Sequence, residues 1–146
     1  MLNTAQFIAT LCCTLFAGAA IYVSLVEHPA RMGCDTKTAA TVWAPSYKRG
    51  AMMQAPLAVL SFLAGVTAWL LDGGVMWLVT AALIGLVVPF TLIAIMPTNH
   101  QLLAPGRHLT PVETRSLLER WGRLHAVRSA LGLTAAILYV LLLLRT

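Results

Sequence analysis

LLERWGRLHAVRSALGLTAAILYVLLLL, Leu117 to Leu144, changes character at one residue. Up to Arg128 it carries a charge or an imidazole every few positions, and from Ser129 to Leu144 it carries none. As helix, the uncharged part is about 24 Å long, close to the roughly 30 Å hydrocarbon core of a bilayer. Arg128 is thereby drawn to the edge of the hydrocarbon, with His125 one turn further out. Thr110-Pro111-Val112-Glu113 has the form of a capping box with proline at the first helical position. A helix from there to Leu144 is about 50 Å long, too long for the bilayer alone, so its first turns project from the membrane.

Three more apolar stretches, roughly Gln6–Val26, Pro56–Leu71 and Val75–Met96, have the length of membrane spans. None alternates as a barrel strand would. With 59% hydrophobic and 10% charged residues, the 146-residue chain is one domain whose solvent is lipid. The predicted fold is all-α: an antiparallel four-helix membrane bundle with a long fourth helix reaching into the cytoplasm. The first stretch lacks a basic leading region and is too long for a signal peptide, so it reads as a permanent span.

The net charge of +5 is unevenly placed. Arg31, Lys37, Lys48, Arg49, Arg107, Arg115, Arg120, Arg123 and Arg128 fall between spans one and two or three and four, and only Arg145 lies elsewhere. By the positive-inside rule both of these loops are cytoplasmic, in an inner membrane, and both termini are outside. No basic-aromatic motif of a nucleic-acid module is present. Cys12, Cys13 and Cys34 read as apolar filler and loop, not as a disulfide or thiolate site.

Pro29 is expected to end span one. Asp35 is expected to cap a short interfacial helix stopped by Pro45, with Trp43 and Tyr47 at headgroup depth. Trp69 and Trp77 flank the Asp72-Gly73-Gly74 turn as belt aromatics, and Pro89 kinks span three. His100 and His108 fall in the third loop, while Met52, Met53 and Met96 read as packing.

This topology gathers Glu27 and His28, Arg49 and Gln54, Thr98 and Asn99, and Trp121 to Arg128 at one depth. Trp121, His125, Arg128 and Gly132 fall on one helical stripe, Gly132 leaving room for a neighbour or a ligand. A layer with two histidines, an acid, an amide, an arginine and a tryptophan suits a flat, mostly apolar molecule with one or two polar groups. In it an imidazole would act as general base, Arg128 or Asn99 would stabilise a developing oxyanion, and Trp121 would stack on the ligand. Arg49 and Gln54 complete the binding set, and Glu27 would orient His28 or pair with a cation.

The segments FAGAAIYVSLVEHPARM, WAPSYKRGAMMQAPLA, IMPTNHQLL and LLERWGRLHAVRSALG resemble those of a family of small four-span membrane proteins that includes the anthrone oxygenases of polyketide pathways. The likeness covers nearly the whole chain. It implies an oxygenase-like reaction without an obvious organic cofactor, in which an anthrone C–H is deprotonated and the carbanion meets O₂ to give a quinone. The resemblance assigns a His and a Trp to this chemistry, which here are His28 or His125 with Trp121. Two other classes compete. One is an iron, copper, zinc or haem protein using His28, His125 and Glu27. The other is a non-enzymatic membrane subunit or carrier of lipids or small molecules, whose basic face meets anionic headgroups. Expected partners are a hydrophobic small molecule, O₂, lipids and a further copy of the chain in a homo-oligomer.

Overall fold

The computed structural model describes residues 1–104 and 110–145. The expectations for Arg107 and His108 lie outside the described residues. Four helices follow one another, each long and apolar enough to cross a membrane: α1 (Leu2–Met32), α2 (Thr36–Gly73), α3 (Val75–Leu103) and α4 (Pro111–Leu143). The chain is an integral membrane protein. α1 packs on α2 and α4, and α3 on α2 and α4, so the antiparallel helices close a four-membered ring.

The seams are made of small residues. On α1, Ala5, Ala9, Cys13, Ala17 and Ala20 are buried; on α2, Ala58, Ser61, Gly65 and Ala68; on α4, Ser129, Gly132, Ala135 and Ala136. The large apolar side chains Phe7, Leu11, Leu25, Leu63, Leu70 and Ile93 point outward. That inversion of the soluble pattern follows from the solvent: lipid offers no reward for burying leucine, and small residues let backbones approach for van der Waals contact. Two large side chains use the resulting gaps. Tyr139 lies against Gly65, and Phe16 lies so close to Gly132 that a β-carbon there would sit 2.6 Å from its ring. The room at Gly132 is taken by a neighbouring side chain.

Proline shapes these helices without ending them. α1 runs on through Pro29 to Met32, and α2 through Pro45 and Pro56 as one helix from Thr36 to Ala68, so neither the stop at Pro29 nor the one at Pro45 occurs. In an apolar medium, unwinding a turn exposes several backbone groups, whereas an internal proline forfeits one hydrogen bond. Before two of the prolines the helix widens by one residue per turn. At Val23–Glu27 the His28 N–H reaches back to the Val23 carbonyl, and at Thr91–Ile95 the Met96 N–H reaches the Thr91 carbonyl. Pro29 and Pro97 follow these wide turns immediately. Such turns absorb a proline and re-aim the side chains around them. α3 is also interrupted at Leu86, three residues before Pro89, as a proline kink requires.

The expected caps form. Thr110 accepts from the Glu113 N–H at 3.2 Å while the Glu113 carboxylate accepts from the Thr110 N–H at 2.9 Å. Asp35 accepts from the Thr38 N–H at 3.0 Å. Arg115 donates to the Cys34 and Met32 carbonyls, tying the start of α4 to the α1–α2 connection. Three of the aromatics expected at the membrane surface turn inward. Trp43 and Trp77 are buried, each only 1% exposed, and Trp77 packs on Tyr139 with ring centroids 5.3 Å apart. Tyr47 stacks on Trp43, also within the bundle. Met52 and Met53 face outward, and His100 is exposed on α3, which continues as helix to Leu103. The three cysteines are free thiols.

Candidate active site at the basic end of the bundle

Trp121 and His125, four residues apart on α4, stack with ring centroids 4.8 Å apart. His28 approaches the same indole from α1 at 5.2 Å, and Trp43 meets it edge-on from α2 at 5.8 Å. Both histidines and Trp121, gathered by sequence reasoning, therefore share one aromatic cluster. Tyr47 extends it, parallel to Trp43 at 5.1 Å. His28 fits because its neighbour on α4 is Gly122: a β-carbon there would run into the imidazole. Its Nδ1 is buried with no partner among the described residues.

His125 is held by two serines that sequence reasoning did not single out. Its Nδ1 lies 3.0 Å from Ser24 Oγ and 3.4 Å from Ser129 Oγ, and the two hydroxyls are 2.8 Å apart. Ser129 Oγ also lies 3.0 Å from each of the Ala20 and His125 carbonyls, which can only accept. The chain can run from Nδ1–H of His125 through Ser24 to Ser129 and a carbonyl, or in reverse from Ser129 through Ser24 to a bare Nδ1, according to the tautomer. In both directions Nδ1 is engaged by the serines, and Nε2 is the ring nitrogen outside the chain. Ser24 sits in the wide turn of α1, and Ser129 one turn beyond His125. The i, i+4 spacing of His125 and Ser129 was the available sequence signal; Ser24 was reachable only through the turn.

A cavity of about 30 Å³ opens beside this cluster, lined by Val23, Ser46, Tyr47, Gly50, Ala51, Gln54, Trp121, His125 and Arg128. Gln54 is 3% exposed and its Oε1 has no partner; neither has the indole N–H of Trp121 nor Nε of Arg128. The Arg128 guanidinium lies over the Phe16 ring, 5.0 Å from its centroid. Four predicted site residues stand apart from this wall, and of these His28 touches it only through Trp121. Arg49 is exposed on the flank of α2, because at about 100° per residue it points well away from the Ser46, Gly50 and Gln54 face. Asn99 is fully buried with both amide atoms unpartnered, next to Thr98, whose hydroxyl is also unpartnered, but it does not line the cavity. Glu27 is turned to Arg31 and Ser46, joining α1 to α2. That engagement breaks up the metal set proposed from sequence: among the described residues no three His, Cys, Asp or Glu side chains are grouped to hold a metal ion.

A family model described as anthrone oxygenase matches residues 43–138, and no curated protein and no solved structure matches the chain. The matched range holds Trp43, Gln54, Asn99, Trp121, His125 and Arg128, and leaves Ser24, Glu27 and His28 to its N-terminal side. Covering more than half of the sequence, that match places this four-helix membrane protein in the anthrone oxygenase family.

Proposed function

We propose that the protein is a membrane-embedded oxygenase acting on a hydrophobic aromatic compound of anthrone type, with His125 as general base. The carrying observation is the serine chain on Nδ1, which engages that nitrogen and leaves Nε2 outside the relay; with the proton on Nδ1, Nε2 is the base. In this reading Nε2 removes a proton from the activated methylene of the substrate. The resulting carbanion, delocalised as an enolate, transfers electrons to O₂ and forms a carbon–oxygen bond. Loss of water from the hydroperoxide yields the quinone. One CH₂ becomes one C=O, one O₂ is consumed and one water leaves, so the reaction balances without an external reductant.

Trp121 brings its unpartnered indole N–H to the cavity wall, and Arg128 supplies positive charge where the enolate develops. Tyr47 closes part of the cavity, and the wide turn of α1 places Val23 on its wall. His28 takes a supporting part, wedging Trp121 in place from α1. By the positive-inside distribution we place the site at the cytoplasmic face of an inner membrane. A membrane-impermeant maleimide tests this on exposed Cys34, labelling inverted vesicles but not intact cells.

The direct experiment is O₂ consumption with an anthrone by the purified protein in lipid nanodiscs, alongside quinone absorbance. His125→Gln is expected to lower the rate by roughly 10² to 10⁴ with helical circular dichroism unchanged. Equal rates for the variant and the parent would remove His125 from the chemistry. Ligand binding with no O₂ uptake by the parent would favour a carrier.

A further inference from the structure

The cavity carries a positive charge that no carboxylate side chain among the described residues neutralises. The chain has five carboxylate side chains. Glu27 pairs with Arg31, Asp35 caps α2, Asp72 sits in the α2–α3 turn at the opposite end, Glu113 closes the capping box of α4, and Glu119 faces Arg115 at 3.9 Å. None of these ion pairs or caps includes Arg128, which makes no hydrogen bond or ion pair among the described residues and lies with its guanidinium over the π-face of Phe16. A half-buried cation without a counter-ion costs stability unless something else is gained by keeping it. Around it the wall leaves two N–H donors unspent, Arg128 Nε and Trp121 Nε1, and one acceptor, Gln54 Oε1. Gln54 and Trp121 are nearly fully buried, so these groups are built into the wall.

We infer that the cavity receives an oxyanion, the ionised oxygen of a phenol or enol, with Arg128 as its counter-ion and a neighbouring hydroxyl of the same ligand donating to Gln54. The ligands are therefore acidic hydroxyaromatics or enolised ketones, and neutral hydrocarbons are excluded. This rests on the reading of the cavity as the aromatic substrate site. It also accounts for the size of that cavity: about 30 Å³ is far too small for a fused ring system but takes an oxygen atom and its immediate surroundings. The polar edge of the ligand enters, and the rings stay at the mouth against Tyr47 and Val23.

The test is binding of 1,8-dihydroxyanthraquinone, a dye whose ionised form absorbs at longer wavelength, to the protein in zwitterionic nanodiscs. The bound dye is expected to show the ionised spectrum at a pH where the free dye does not. The 1,8-dimethoxy analogue, which cannot ionise, is expected to bind roughly tenfold to a hundredfold more weakly, the range for a hydrogen bond to a charged group. Arg128→Met should lose affinity for the dihydroxy dye by a similar factor, Arg128→Lys should recover part of it, and ligand-free Arg128→Met should melt at or above the parent temperature. Binding of the neutral form, equal affinity for the two dyes, or a lowered melting temperature for Arg128→Met would each overturn the inference. Anthrone turnover without oxyanion binding would overturn it and leave the oxygenase reading standing. Oxyanion binding without O₂ uptake would do the reverse.

Discussion

The two ends of the bundle treat polar groups in opposite ways. Towards the α2–α3 turn, Ser61 donates to the Ala9 carbonyl at 2.9 Å, Thr10 to the Gln6 carbonyl at 2.8 Å and Thr80 to the Met76 carbonyl at 2.8 Å. Tyr139 fills the notch at Gly65. At the basic end, buried nitrogens or oxygens of His28, Arg31, Trp43, Gln54, Thr98, Asn99, Trp121 and Arg128 lack partners among the described residues, whereas elsewhere only Gln6 does. Burying an unpaired polar group costs about 1–3 kcal/mol, so one end is organised for packing and the other keeps its hydrogen-bonding capacity for something else. The same small residues serve both ends: Gly65 is filled by a side chain, whereas Gly50 borders the cavity.

The sharpest way to break this contrast is at Gly65. A β-carbon there falls on the Tyr139 hydroxyl and 2.9 Å from Ala81 Cβ. Gly65→Ala is expected to lower stability by about 1–3 kcal/mol, read from unfolding in mixed micelles, while turnover per folded molecule stays near the parent value. Loss of turnover in the folded fraction would show that the two ends are coupled. Next in size is the serine chain. Ser24→Ala removes the hydroxyl bonded to His125 Nδ1, and a hydrogen bond worth about 0.5–1.5 kcal/mol translates to a kcat roughly twofold to tenfold lower with KM little changed. A raised KM at constant kcat would make Ser24 a binding group. Gly50→Ala should act in the other direction on stability. Its β-carbon would lie 3.8 Å from Gln54 Nε2, an ordinary contact, and alanine in a helix is favoured over glycine by about 0.5–1 kcal/mol. The variant should therefore melt higher while binding the ring more weakly, and a lower melting temperature would mean the cavity wall is as tightly packed as the opposite end.

Four spans, the long fourth helix, the capping box and the convergence of His28, Trp121, His125, Gln54 and Arg128 were legible in the sequence, because hydropathy and helical spacing act locally. What was not legible depended on how prolines behave in lipid. Reading Pro45 as a stop separated Trp43 and Tyr47 from Gln54, although Trp43, Tyr47, Gly50 and Gln54 follow one face of a continuous helix. Reading Pro29 as an end hid the wide turn that brings Ser24 to His125. Trp77 was assigned to the membrane surface by residue type alone, and only the packing of α3 on α4 shows that it belongs to the core.

The smallest expected effect concerns the connection that closes the basic end. Asp35 is fully exposed, and its carboxyl is held below the usual range by hydrogen bonds from the Thr38 hydroxyl and N–H. A carboxylate whose folded value is depressed stabilises the fold above its unfolded pKa, about 3.9, and that contribution is lost as the pH falls through the lower folded value. Asp35→Asn keeps an oxygen for the Thr38 N–H but removes the charge. It should melt slightly below the parent at pH 7, and the gap should close as the pH falls below the unfolded value and through the lower folded one, where the parent carboxylate takes up its proton. A gap of the same size throughout that range would assign the stabilisation to cap geometry alone, and would leave the tie from Arg115 to the Met32 and Cys34 carbonyls as the main electrostatic clasp on the α1–α2 connection.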